Sequence, residues 1–529
     1  MAERAPDPTG AAVLLGTLAD TGVTACFANP GTSEMHLVAA LDGEPRMRAV
    51  LTLFEGVATG AADGYARMAD RPAATLLHLG PGLANGTANL HNARRAGTPV
   101  VNVVGDHARD HKPLDAPLES DVDSLAGVVS ARVHRTTDPE RLGPDVADAV
   151  AAACGPPPAI STLLVPADVA WGPGYARGVP RPVSPLGRGA LDADGLESAA
   201  KALWSGERCT LLIGGTGLRA AGLRAAQRIA AATGTALLAE CFPTRMERGA
   251  GLPDLPRLAY PGDVAREQLA GTAHLVLVGA HSPVTFFGYP GKSGDLVPEG
   301  CTVHRVAETG AAGETALLAL ADLVAADTPD PTLATAARPE LPTGALTAPL
   351  AAAVVGALLP EGAIVVDESL TSGAGLPQAT AGAPRHDWLT LTGGAIGFGM
   401  PAAIGAAVAC PDRPVWSLQA DGSAMYTVQA LWTQAREGLD VTTVLYDNGA
   451  YAILRGELLG VGATLAEDSP ARSLLDLGSP RLDFAAIGAG LGVPTAVATT
   501  AEELADGLRR ATAEPGPHLV VARVPPLVP

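Results

Sequence analysis

With 529 residues, of which 47% are hydrophobic and 17% charged, the chain has material for about three globular domains and is too apolar to be disordered. A formal charge of −19 with no Lys/Arg-rich run argues against a nucleic-acid surface, and no stretch of about 18 apolar residues is available to span a bilayer. The start lacks the basic-then-apolar pattern of a signal peptide, and six scattered cysteines without a CxxC pair read as buried hydrophobes, so a cytoplasmic protein is expected.

In chain order, near-continuously apolar runs at 24–29, 74–79, 100–105, 210–215, 274–280, 363–368, 441–448 and 518–524 alternate with helix-like segments. Strands covered on both faces read this way, which predicts parallel sheets. Pro- and Gly-rich stretches at 171–189 and 325–344 read as linkers and divide the chain into 1–180, 185–330 and 345–529. The expected fold class is α/β, with three doubly wound parallel-sheet domains.

The first strand runs into NPGTSEMHL (29–37), a loop that holds Thr32. FEGVATGAADGYARM (54–68) then places Glu55 at the start of a helix, directly after the strand-like AVLTLF. The helix dipole alone favours an acid there. LLHLGPGLANGTANL (76–90) sets His78 at a strand end beside a glycine-rich turn, where a histidine is either a satisfied core residue or a site residue. In the middle segment, TLLIGGTGLRAAG gives a strand, then Gly215-x-Gly217-x-x-Ala220, then a helix, and Glu240 closes the next strand-like run. That matches a dinucleotide fingerprint and would suit an NAD- or FAD-linked oxidoreductase, although one short motif is weak.

In the last segment, DESLTSG with Thr371 follows a strand, and LTGGAIGFGMPAAIG (391–405) carries glycines that each cost about 1 kcal/mol in a helix. WSLQADGSAMY (416–426) runs apolar and then delivers Asp421, Gly422 and Ser423. A carboxylate at the rim of a core needs a positive or hydrogen-bonding partner. VTTVLYDN ends in Asp447 and Asn448, the latter twenty-seven residues beyond Asp421. Parallel strands joined by one crossover helix present their C-terminal ends side by side, and ligands bind at that edge. A carboxylate and an amide oxygen there suit Mg²⁺, which keeps phosphate oxygens and water as further ligands, while free N–H groups opening the next helix attract phosphate. A magnesium–diphosphate site is expected.

The pattern ADGS, then 24 residues, then Asn448 resembles the magnesium–diphosphate motif of thiamine diphosphate enzymes, with Ala420 and Asp447 as departures from its usual GDG and NN. The segments around Glu55, Thr371 and Gly394 are similar to that family's, in the same order. The resemblance implies a pyrimidine-binding, a central Rossmann-like and a diphosphate-binding domain. It assigns Asp421, Asn448 and the Ala450 carbonyl to Mg²⁺, and Thr371, Gly422, Ser423, Asn448 and Tyr451 to the cofactor. The Gly394 carbonyl would accept from the 4′-amine, and Ile396 would bend the cofactor. Glu55 would bond pyrimidine N1′ as the general acid/base, from a neighbouring subunit. A homodimer is then the minimum and a homotetramer is expected. His78, twenty-three residues after Glu55, matches an active-site histidine of benzoylformate decarboxylase, and Thr32 a position near the substrate carboxylate.

A second decarboxylase histidine is missing around Phe286, Phe287 and Gly288, and His281 is out of register. His107 and His111 lie in a different segment from the paired histidines of pyruvate decarboxylases, and Ile453 and Leu454 make one wall apolar. The resemblance implies a 2-oxo acid substrate, decarboxylated through a C2 ylid and an enamine. With few proton donors nearby, ligation to a second carbonyl, as in acetolactate synthases, is favoured over aldehyde release. FAD is an alternative occupant of the middle domain and is not favoured. Glu55, Asp421 and Asn448 together argue against a non-catalytic regulator.

Overall fold

The apolar runs fold as strands with both faces covered, as their lack of alternation requires. In the computed structural model, which describes residues 8–181, 191–310, 312–329, 333–463, 466 and 469–527, each predicted segment builds its own sheet. The first contains β1 (Ala25–Ala28), β2 (Arg48–Leu51), β3 (Ala73–His78), β4 (Val100–Asp106), β5 (Arg132–Arg135) and β6 (Ile160–Pro166), all parallel, in the order β2-β1-β3-β4-β6-β5. The middle segment supplies β7 (Cys209–Ile213), β8 (Ala236–Ala239), β9 (Met246–Arg248), β10 (His274–Val278) and β11 (Thr302–Ala307). Four of these form a parallel sheet ordered β11-β10-β7-β8.

The last segment supplies β12 (Ile364–Glu368), β13 (His386–Thr390), β14 (Val415–Ala420), β15 (Val441–Asp447), β16 (Thr495–Ala498) and β17 (His518–Arg523). They are ordered β16-β17-β15-β14-β12-β13, and β9 of the middle segment is added at the β13 edge. β9 pairs antiparallel, with Trp388 opposite Met246. This strand departs from the all-parallel expectation and has no apolar run to announce it. Its buried Arg248 anchors it by donating to the Pro377 carbonyl at 2.7 Å and lying 5.3 Å from the centre of the Trp388 ring. β5, β11 and β16, at sheet edges where burial asks less of the sequence, also escaped the apolar-run reading, as did the buried interior strands β6 and β13.

The described part of the first predicted linker is not free chain. The Gly178 N–H donates to Thr17 Oγ1 at 3.1 Å, and Arg177 lies over Gly16, docking this stretch on the helix Gly10–Asp20. Residues 182–189 of that prediction and 330–332 of the second lie outside the described residues.

Two glycine-rich helices clamp the first and last domains together. The Gly-rich stretch 391–405 divides into a loop and the helix Gly399–Ala409, which packs on the helix Glu55–Ala69. A Cβ on Gly64 would sit 2.1 Å from the Ala402 carbonyl oxygen, and one on Gly405 would sit 1.9 Å from that of Ala61. The helix-propensity cost of these glycines is thus offset by backbone-to-backbone contact. Arg67 adds a buried bond from Nη1 to the Thr390 carbonyl at 2.8 Å.

Candidate active site

Ala420 pairs with Tyr446, so β14 and β15 end side by side and their following loops meet. Asp421 is buried there. Its Oδ1 accepts the Gly422 N–H at 2.8 Å, and its Oδ2 accepts those of Asn448 and Gly449 at 3.0 and 2.7 Å. What Asp421 meets among the described residues is therefore backbone N–H, with no cationic side chain. Burial pushes its carboxyl up to about 6, the N–H bonds opposing. The Asn448 side chain accepts from the Ala450 N–H at 2.9 Å and donates to Ser372 Oγ at 3.2 Å. Ser372 was missed in sequence; it is the neighbour of Thr371, which is half-buried in the same turn.

A Cβ on Gly422 would stand 2.4 Å from the Tyr451 ring, so the tip closes only with glycine. Ser423 Oγ donates to the Ala420 carbonyl at 3.1 Å. Ile453 and Leu454 follow on the helix Ala452–Gly460, and Leu454 is 45% exposed. Asp447 has a partner of its own, Arg481 Nε at 3.0 Å. Among the described residues no group of three or more His, Cys, Asp or Glu converges as a metal cluster. A single carboxylate beside carboxamide and carbonyl oxygens fits a hard cation that draws its remaining ligands from phosphate and water.

Glu368, at the end of β12, is buried and organises the neighbouring loop. It accepts the N–H groups of Gly397 and Gly399 at 2.7 and 2.6 Å and the Gln419 amide at 3.0 Å. Burial raises its carboxyl, and these bonds oppose the rise. An acid closing a buried strand was the signal that singled out Asp421, and it would have found Glu368 too. Gly394 has φ +74°, and a Cβ there would lie 2.6 Å from the Phe286 ring. Ile396, half-buried, packs on the core. Asn92 from the first domain clasps Ala395, donating to its carbonyl at 2.8 Å and accepting its N–H at 3.1 Å.

Glu55, 6% exposed, opens its helix, its carboxylate accepting from the Asn29 amide at 3.1 Å and the Asn85 amide at 2.9 Å. His78 Nδ1 lies 2.8 Å from Glu34 Oε2 and 3.0 Å from Ser33 Oγ. Thr32, beside them, is exposed. A Cβ on Gly82 would stand 3.2 Å from His78 Cβ and 3.4 Å from Glu55 Oε1, so the two residues share one wall. Among the described residues no hydrogen bond or ion pair joins Glu55 to the Asp421 group. Asn29, Glu34 and Asn85 were missed in sequence, since single polar residues in loops carry no periodic signal.

In the middle domain the fingerprint turn is already engaged: the Gly215 N–H donates to Glu240 Oε1 at 3.1 Å. Burial pushes the Glu240 carboxyl up to about 7. A cavity of about 410 Å³ lies beside it, lined by Thr216, Arg219, Arg245 and His281 among others. Among the described residues no helix is long and apolar enough to cross a membrane.

Residues 8–126 match the family model of the thiamine pyrophosphate enzyme N-terminal TPP binding domain, and residues 373–522 that of the C-terminal TPP binding domain. The chain is 61% identical over 521 residues to a Mycobacterium tuberculosis protein provisionally named acetolactate synthase large subunit IlvX, covering 98% of this chain and 99% of that one. It is 30% identical over 529 residues to a Pseudomonas aeruginosa benzoylformate decarboxylase, covering 94% and 96%. The solved Rhodococcus jostii thiamine diphosphate-dependent 4-hydroxybenzoylformate decarboxylase matches with a TM-score of 0.83 at 25% identity, over 98% and 99% of the two chains. The chain belongs to the thiamine pyrophosphate enzymes. Within them it falls in the acetolactate synthase and benzoylformate decarboxylase family.

Proposed function

We propose that the chain is a Mg²⁺-dependent enzyme that decarboxylates a 2-oxo acid and transfers the acyl fragment to a second carbonyl, in line with the name of its 61%-identical relative. The observation that carries the reading is the meeting of two loop tips, with the buried Asp421 carboxylate accepting the N–H groups of Asn448 and Gly449. In this reading Asp421, the Asn448 side chain and the Ala450 carbonyl hold Mg²⁺. Thr371, Gly422, Ser423 and Tyr451 surround the diphosphate. Thiamine diphosphate, when bound, supplies the electron sink for decarboxylation.

The chain's own part is placement and proton handling. Glu55 serves as the acid/base partner of pyrimidine N1′, its position fixed by Asn29 and Asn85. The Gly394 carbonyl and Ile396 orient the aminopyrimidine. His78, held by Glu34, and Thr32 face the substrate carboxylate, while Ile453 and Leu454 keep that side apolar. Leu53, 45% exposed two residues before Glu55, is a surface for a second subunit to cover. The active unit is then a homodimer with shared sites, paired into a tetramer, in the cytoplasm. The domains follow the bounds 1–180, 185–330 and 345–529.

Titrating apo-protein with thiamine diphosphate and Mg²⁺, followed by assay on pyruvate and phenylglyoxylate, tests this reading. Glu55→Gln should bind the cofactor and lose at least about a hundredfold in turnover. A 2-hydroxyketone or acetohydroxy acid is the expected product. Aldehyde alone would sink ligation and leave simple decarboxylation, which the 30%-identical benzoylformate decarboxylase supports. The 410 Å³ cavity keeps FAD as a second reading, which a purified protein absorbing near about 450 nm would favour. Against it stands Glu240, already bound to the Gly215 amide.

A further inference from the structure

A cavity of about 310 Å³ lies between the helix Gly10–Asp20, the helix Met35–Ala40 and the β2 edge of the first sheet. Leu14, Leu18, Leu37, Cys26 and Leu76 form its apolar floor. Protein interiors pack as densely as organic crystals, and voids larger than a water molecule are few. A water needs two to four polar partners, which this wall does not supply, whereas dry apolar holes of about 150 Å³ take guests the size of benzene. The mouth lies at Ala49 and Arg436, both exposed, and Arg436 is the one charged side chain among the described residues of the wall. Arg436 lies 5.4 Å from the centre of the Trp432 ring and 3.7 Å from Glu437, which Arg48 also approaches at 3.4 Å, so two guanidiniums share one carboxylate.

We propose that this cavity binds a small carboxylate with a short hydrocarbon tail, the tail inside and the head on Arg436. Apolar burial drives entry, and a charge-assisted hydrogen bond fixes the orientation. The site is separate from the loop tips around Asp421. Its wall includes Pro30, whose neighbour Asn29 donates to Glu55, so the occupant bears on the segment that positions that acid.

Calorimetric titration of the full chain with octanoate, with octan-1-ol as the uncharged comparison, tests the proposal. Saturable octanoate binding is expected, lost in Leu18→Phe, which fills the cavity, and in Ala49→Trp, which closes the mouth from an exposed position. Arg436→Gln should weaken octanoate by about tenfold and leave octan-1-ol unchanged. Turnover should change at least twofold on octanoate addition. No saturable binding, or binding indifferent to both Leu18→Phe and Ala49→Trp, overturns the site. Equal affinity for octanoate and octan-1-ol overturns the role of Arg436. Unchanged turnover at full occupancy overturns the link to Glu55.

Discussion

At the scale of single residues, Asp421 has backbone N–H donors on both oxygens, and burial raises its carboxyl to about 6. If Asp421 holds Mg²⁺ as proposed, protons and metal compete for the same oxygens. Mg²⁺-supported cofactor binding should weaken by about tenfold per pH unit below about pH 6, measured by titration calorimetry between pH 5 and 7.5. Asp421→Ala should abolish the metal dependence. Glu240 works through stability. Its carboxyl rises from the ordinary 4.5 to about 7, so the contribution is fully present below pH 4.5 and is lost as pH rises through 7. Thermal melts of Glu240→Gln should therefore lose less stability than wild type between pH 5 and 8, by on the order of 1–2 kcal/mol after allowing for solvent in the adjoining cavity. That the Asp421 and Asn448 tips meet was legible because strand ends are legible. The partnership of Asp447 with Arg481 was not, because nothing local marks a contact thirty-four residues away.

At the scale of elements, the packing of the helix Glu55–Ala69 on the helix Gly399–Ala409 leaves no room for a methyl group. Gly405→Ala places a Cβ 1.9 Å from a backbone carbonyl oxygen that no side-chain rotation can relieve. A loss of about 2–3 kcal/mol is expected, read as a fall in melting temperature. Gly43→Ala, where an added Cβ meets nothing within 4 Å, should leave the melt unchanged. The runs of small residues were visible in sequence, and their cost to a helix flagged them. Which helix they approached was not, since packing partners come from topology. The same limit hid β9, three residues with two charges that gain their place only from the edge of β13.

At the scale of the whole molecule, three sheets were foreseeable because strands buried on both faces admit little but apolar residues. In the dimer proposed above, Leu53, 45% exposed, would lie in the interface. Leu53→Glu should then leave the sheets intact by circular dichroism, yet shift the sedimenting species to monomer and cut turnover by more than about tenfold, because an interface core tolerates no unpaired charge. The middle domain, for its part, lends β9 to its neighbour's sheet and plants Arg248 under Trp388. It is therefore no detachable cassette. A chimaera that exchanged residues 191–329 for a relative's, without matching the β9 donation, would strip the margin of β13 and bare a ready template for chain-to-chain adhesion.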